Sequence, residues 1–144
     1  MALFQLQVLH ALRSHHQASH GLARAMTPPT PESSILRACL DILSVHRIWH
    51  MRMNTGAVKL ERRFVRFSRP GTADILATVQ IRLPLDSMRI TLAVLWLECK
   101  SSIGRQSPAQ RQFQLEVESS GHIYLLIRSP EDLITWLRAH SVIP

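Results

Sequence analysis

Lysine is almost missing from this chain. Of its seventeen Lys and Arg residues only Lys59 and Lys100 are lysines, so arginine is the default cation and each lysine needs a reason. The difference is chemical: a guanidinium keeps its proton near neutral pH, whereas a lysine's affinity for its proton is set by burial and neighbours. Cysteine is scarce too. Cys39 and Cys99 are too few for a disulfide framework and lack the CxxC spacing of a zinc site, so they read as buried thiols in a reducing compartment. No apolar run reaches the ~20 residues that span a bilayer, because the longest candidate, 83–97, is broken by Pro84, Asp86 and Arg89. Acid is missing from about the first 29 residues, which end in the proline-rich stretch Met26-Thr27-Pro28-Pro29-Thr30-Pro31.

These absences frame what is present. With 46% apolar and 19% charged residues, a chain of 144 residues fits one globular domain with its own core. A formal charge of +7 points to a polyanionic partner, nucleic acid first among them. The expected organisation is a flexible arm over 1–29 and a single domain over 30–144, with Met26 an alternative start. The arm's apolar residues (Leu3, Phe4, Leu6, Val8, Leu9, Leu12) suit a short helix able to dock on a membrane or a partner. Neither a transit nor a secretory signal fits it well, and His10, His15, His16 and His20 lack metal-ligand spacing.

Periodicity predicts the elements of the domain. Thr30 as cap and Pro31 as first residue open a helix to about His46, with Ile35, Leu36, Cys39, Leu40 and Leu43 on its apolar stripe and Glu32 on the same stripe. Ile48 to Met51, then Ala57 to Phe67 after a turn at Asn54-Thr55-Gly56, read as strands. Asp74 to Arg82 and Ile90 to Glu98 form a hairpin about Pro84-Leu85-Asp86-Ser87. With the turn centred near Asp86, residues whose numbers sum to 172 face one another, which places Asp74 opposite Glu98. Ser107-Pro108 starts a second helix that ends at Gly121, His122 to Ile127 is a buried strand, and Ser129-Pro130 starts a third helix through Arg138. Trp49, Trp96 and Trp136 are expected in the core, and His50 and His122 as satisfied core or rim histidines rather than catalytic ones. The order predicts an α/β fold, a mixed sheet flanked by helices.

One constellation carries chemistry. Asp74 and Glu98, opposed on adjacent strands, supply the hard oxygen ligands that magnesium prefers. Lys100, two residues beyond Glu98, shares its face and can orient a water or stabilise charge developing on phosphate. Cys99 points its side chain the other way, leaving its backbone carbonyl to complete a metal shell. The Glu-x-Lys triplet closes the apolar run Ala93-Val94-Leu95-Trp96-Leu97, so its charged residues leave a buried strand together. A divalent cation held there both neutralises a phosphodiester and activates water, the two needs of phosphodiester hydrolysis.

At this point the chain resembles the VRR-NUC branch of the PD-(D/E)XK nucleases, over about residues 31–139. The matching pieces are Glu32, Asn54-Thr55-Gly56-Ala57, Pro70-Gly71-Thr72-Ala73-Asp74-Ile75-Leu76, Trp96-Leu97-Glu98-Cys99-Lys100 and Gly104-Arg105-Gln106-Ser107-Pro108-Ala109-Gln110. Gly121-His122-Ile123-Tyr124 and Ser129-Pro130-Glu131-Asp132-Leu133 complete them. Ala73 stands where a proline is common before the motif aspartate. The resemblance implies an αβββαβ restriction-endonuclease-like core and a DNA endonuclease dependent on Mg2+ or Mn2+. Asp74, Glu98, the Cys99 carbonyl and Glu32 would serve the metal, with Lys100 as catalytic lysine and Gln110 as trailing glutamine. It further implies selectivity for branched, junction or flap DNA, as in Holliday junction resolvases, and a cytoplasmic protein of bacterial or phage type. A homodimer would supply two sites for two cuts. DNA contacts are expected at Arg63 and Arg66, among Arg62 and Arg69 and interleaved with Phe64 and Phe67, and at Arg105 and Arg111 beside the second helix start. The competing readings are a catalytically silent DNA-binding module of the same fold, and a nuclease domain tethered through its arm.

Overall fold

The computed structural model describes residues 28–53, 57–60, 63–66, 68–83 and 86–144, with the backbone course alone at 57–60, 63–66, 83 and 86–89. The arm through residue 27 and the turn expected at 54–56 lie outside the described residues. Helix α1 is Glu32–Val45, and it buries Ile35, Cys39 and Leu43 as its stripe requires. Its start differs from the expected Thr30 cap. Pro31 itself holds the cap position in an extended conformation (φ −58°, ψ 141°) with no side-chain cap, and its carbonyl accepts from the N–H groups of Ser34 and Ile35. Proline's fixed φ suits either side of a helix boundary, and ψ places it outside.

Strand β1 is Trp49–Arg52, β2 Ala57–Leu60, β3 Arg63–Arg66, β4 Ile75–Leu83 and β5 Asp86–Cys99; helix α2 is Pro108–Ser119, strand β6 Ile123–Ile127 and helix α3 Pro130–Ala139. The basic run therefore divides into two strands, which pair with each other in a separate two-stranded sheet. The main sheet has the order β1-β4-β5-β6, antiparallel except for the β5–β6 pair, so among the described residues the fold is α/β with a mixed four-stranded sheet and three helices. Among the described residues no helix is long and apolar enough to cross a membrane.

The β4–β5 ladder runs from Ile75↔Leu97 to Arg82↔Ile90, the register expected from the sequence. Its tip does not follow that register: a shift after Arg82 pairs Leu83 with Asp86, so the turn is not centred on Asp86. One-residue slippage along the ladder would turn Ile75, Ala77, Val79 and Ile81 out of the core, whereas an irregularity at the tip moves nothing buried.

Two faces result. On one, Ile75, Ala77, Val79 and Ile81 of β4, Leu95 and Leu97 of β5, and Ile123, Leu125 and Ile127 of β6 pack with Leu133, Trp136 and Leu137 of α3 and the α1 stripe in one cluster. On the other face, Phe113 and Val117 of α2 cover Ala73, Trp96 and Tyr124. With 12 residues α2 is only about 18 Å long, and β5 with 14 residues extends for about 46 Å. Among the described residues no helix covers this face beyond α2, and Trp49 is 57% exposed instead of buried, with Met51, Ile90 and Leu92 exposed as well. Trp136 is in the core as expected, and Trp96 is half-buried.

Candidate functional site

The site lies where β4 begins and β5 ends. Asp74 directly precedes β4, and the ladder places it opposite Glu98. Its backbone is anchored from one side by the Met53 N–H, 2.8 Å from the Asp74 carbonyl, and its carboxylate from the other by the Cys99 N–H, 2.8 Å from Oδ2. Glu98 is 1% exposed, among the most deeply buried side chains of the chain, at the end of a strand whose preceding residues form the core. Lys100 Nζ lies 2.7 Å from Glu98 Oε1 and 3.6 Å from Glu32 Oε2. Glu32 Oε1 also accepts from the Ser101 N–H at 3.3 Å. Thus Glu32, exposed at the start of α1, is brought to the lysine rather than to Asp74.

Helix α2 contributes Gln110 through its own cap. Ser107 Oγ accepts from the Gln110 N–H, Gln110 Oε1 accepts from the Ser107 N–H, and the Gln110 amide N–H is then left to donate to Glu98 Oε1. One side chain both closes the helix and holds the acid. Gly104 lets the loop after Lys100 come close: a Cβ there would lie 2.6 Å from Glu32 Oε1. Arg128 braces the same loop by donating to the carbonyls of Ser101 (2.6 Å) and Gly104 (2.9 Å).

The electrostatics follow from this burial. Desolvation pushes the Glu98 carboxyl up to about 7, aided by the charge of Asp74 and opposed by the hydrogen bond from Lys100. Asp74 is raised as well by burial, against the Cys99 N–H and the Lys100 charge. Burial pulls on Lys100 in the opposite direction, but its hydrogen bond to Glu98 and the charges of Glu98, Glu32 and Asp74 outweigh it and hold the ammonium above the ordinary lysine range. The Cys99 thiol, hydrogen-bonded to Cys39 and buried, is pushed far up, which keeps it protonated and inert.

Glu98 Oε2 is buried with no hydrogen-bond partner. Leaving such an acceptor unpaired costs about 1–3 kcal/mol, more when it is charged, and a cation or a proton relieves it. Among the described residues no three His, Cys, Asp or Glu side chains converge as a ready metal cage. The donors that do converge, the Asp74 and Glu98 carboxylates, are hard oxygens and one is orphaned, so they fit a divalent cation of the magnesium kind.

Of the other expected site residues, Arg105 and Arg111 are exposed around the start of α2, and Arg111 folds back to donate to the Gln106 carbonyl at 2.6 Å. Arg63 and Arg66 lie on β3, and their side chains are outside what is described. Arg69, counted with that basic cluster, is instead ion-paired with Glu116 of α2. His122 accepts from the Trp96 indole N–H at 3.0 Å and His50 bonds the Ile48 carbonyl at 2.8 Å, both away from the acids. Sequence reasoning passed over Tyr124, whose phenol is held protonated by burial and by Glu98 and accepts from Gln106 at 3.3 Å. A lone tyrosine in a buried strand reads as core, and only the parallel register that sets it beside Trp96 reveals it. No family model, curated protein or solved structure matches this chain.

Proposed function

We propose that this chain is a metal-dependent DNA endonuclease of the PD-(D/E)XK type, resembling its VRR-NUC branch and selective for branched, junction or flap DNA. The observation that carries the reading is Glu98: a buried carboxylate with one oxygen shared by Lys100 and Gln110 and the other orphaned, across the ladder from Asp74. A purely structural acid does not gain from being left unpaired in a core. Asp74 and Glu98, with the Cys99 carbonyl and Glu32 in support, would hold Mg2+ or Mn2+. Such an ion supplies charge neutralisation at phosphate and a more acidic water.

The chain's own residues do the rest. Lys100 stays protonated, so Nζ acts as an electrostatic contact for a phosphate oxygen rather than as a proton acceptor. Gln110 keeps Glu98 in one orientation, and Glu32 in turn restrains the ammonium. The second reading, a silent DNA-binding module of this fold, draws on one feature: Lys100 already closes on Glu98, and among the described residues no third acid joins the pair as a metal cage.

Single-turnover cleavage of linear, single-stranded, flapped and four-way DNA, with and without magnesium or manganese, separates the two. Lys100→Met is expected to keep DNA binding and metal-induced stabilisation while losing at least ~100-fold in cutting, and Lys100→Arg should not rescue it. Asp74→Asn and Glu98→Gln should lose metal stabilisation and cutting together. If wild type cuts none of these DNAs, or Lys100→Met cuts at the wild-type rate, the nuclease reading is wrong.

A further inference from the structure

We propose that Tyr124 is a positioning residue for Glu98, its phenol proton standing in for the Lys100 ammonium when that group turns to a phosphate oxygen. The role rests on the nuclease reading; the contact rests on geometry alone. In the parallel ladder Tyr124 is the partner of Trp96, so Glu98, two residues further along β5, shares its face of the sheet. The tyrosine is 7% exposed beneath α2, with its ring packed edge-on to Phe113.

Hydrogen-bond polarity decides where the phenol proton points. A carboxylate only accepts, so Glu118 Oε1 takes an N–H from Gln114 Nε2 at 3.1 Å, and the other end of that amide, Gln114 Oε1, is left to accept. It accepts from Gln106 Nε2 at 3.0 Å, and the second hydrogen of the same nitrogen goes to the Tyr124 hydroxyl oxygen at 3.3 Å. Tyr124 therefore receives a hydrogen bond from Gln106 and has its own proton to give. Glu98 is the acceptor within its reach.

The reaction creates the need for that proton. Glu98 Oε1 is held by Lys100 and Gln110, and Oε2 by no donor. A contact from Nζ to phosphate takes the ammonium away from Oε1 and leaves a buried carboxylate on one neutral amide, which is costly. A phenol suits the vacancy because it has a proton to give and does not lose it: burial and the charges of Glu98 and Asp74 oppose its ionisation. Lys100 can then serve the substrate while Glu98 keeps its place opposite Asp74.

Tyr124 is the single tyrosine of the chain, so the Raman Fermi doublet of its ring reports one hydroxyl without labelling. The intensity ratio should mark a hydrogen-bond donor in the full wild-type chain and a weaker donor in Glu98→Gln. It should mark a stronger one in Lys100→Met with saturating magnesium, where the ammonium is gone and the acid stays ionised. Tyr124→Phe keeps the ring and removes the hydroxyl. At saturating DNA and magnesium its single-turnover cutting should fall about tenfold or more, the scale of one hydrogen bond to a charged group, with DNA affinity unchanged. Should that variant not fold, Gln106→Glu keeps the phenol but puts an acceptor where the donor was, which draws the proton from Glu98 and should lose cutting to a similar degree. A doublet that is the same in wild type, Glu98→Gln and Lys100→Met overturns the contact, and Tyr124→Phe cutting at the wild-type rate overturns the role. Matching losses of cutting, DNA affinity and melting temperature overturn it too, since they make the hydroxyl a part of the packing. If wild type cuts no DNA, the nuclease reading and the positioning role fall together, and a doublet that still moves with Glu98 tells that failure from a failure of the contact.

Discussion

Glu98 concentrates the tension of this molecule in one side chain. An acid whose proton is held more tightly in the folded chain than in the unfolded one makes stability fall as pH rises. Below the ordinary value of 4.5 both states are protonated; between 4.5 and about 7 the unfolded chain ionises alone; above that the loss levels off. Without metal this amounts to about 3 kcal/mol between pH 4.5 and 7. Asp74, raised in the same direction, adds to the slope. Denaturation in a chelator at pH 5 and pH 8 should show the wild type weaker at pH 8 and Glu98→Gln with a markedly flatter dependence. Equal slopes would mean that the native acid is not desolvated. Saturating magnesium at pH 8 should stabilise the wild type and leave Glu98→Gln nearly unmoved.

At the scale of elements, two glycines divide the work of seating helices around the acids. Gly71 has φ 82°, and a Cβ there would lie 2.8 Å from the Gln110 nitrogen and closer still to the Ala109 carbonyl. The loop that delivers Asp74 thus rests directly on the first turn of α2, the turn that delivers Gln110. Gly71→Ala meets rigid backbone as well as an unfavourable φ, and is expected to cost about 2 kcal/mol or more. Gly104→Ala meets the ends of side chains, Glu32 Oε1 first, which can swing aside. It should cost under about 1 kcal/mol while releasing Glu32 from Lys100 and Ser101, so that cutting falls more than stability does. Matched denaturation and single-turnover measurements check the contrast, which fails if the two variants rank the same way in both.

For the whole molecule the question is which parts the domain needs. Deleting residues 1–25 should leave the melting temperature and, on the nuclease reading, the metal-dependent cutting rate nearly unchanged, because no core stripe or motif of the sequence lies there. A large loss in either would show that the arm belongs to the domain. DNA binding should weaken steeply with salt, since a chain of net charge +7 has many cations to pair with phosphate. Replacing Arg63 and Arg66 together by Ala should flatten that dependence. An unchanged salt slope would move the contact surface to Arg105 and Arg111.

The sequence alone determined the faces of the central hairpin: apolar residues alternating on both strands must reach one core together, which puts Asp74, Glu98 and Lys100 on a common face. The expected pairing itself follows from a turn centred on Asp86; it holds along the ladder although the tip turns elsewhere. The sequence also determined the cap that starts α2, because Ser107, Pro108 and Gln110 act within a single turn. Tertiary structure decided what lies between elements. By spacing Glu32 was legible as an acid on an apolar stripe, and by resemblance as an acid serving the metal; its approach to Lys100 came only with the seating of α1 on the loop at Gly104. Trp49 looked like core because periodicity reports which residues share a face, not how far a covering helix reaches. A helix advances about 1.5 Å per residue and a strand about 3.3 Å. The 12 residues of α2 cannot cover the 14 of β5, and among the described residues this difference leaves one end of the sheet uncovered on the α2 face.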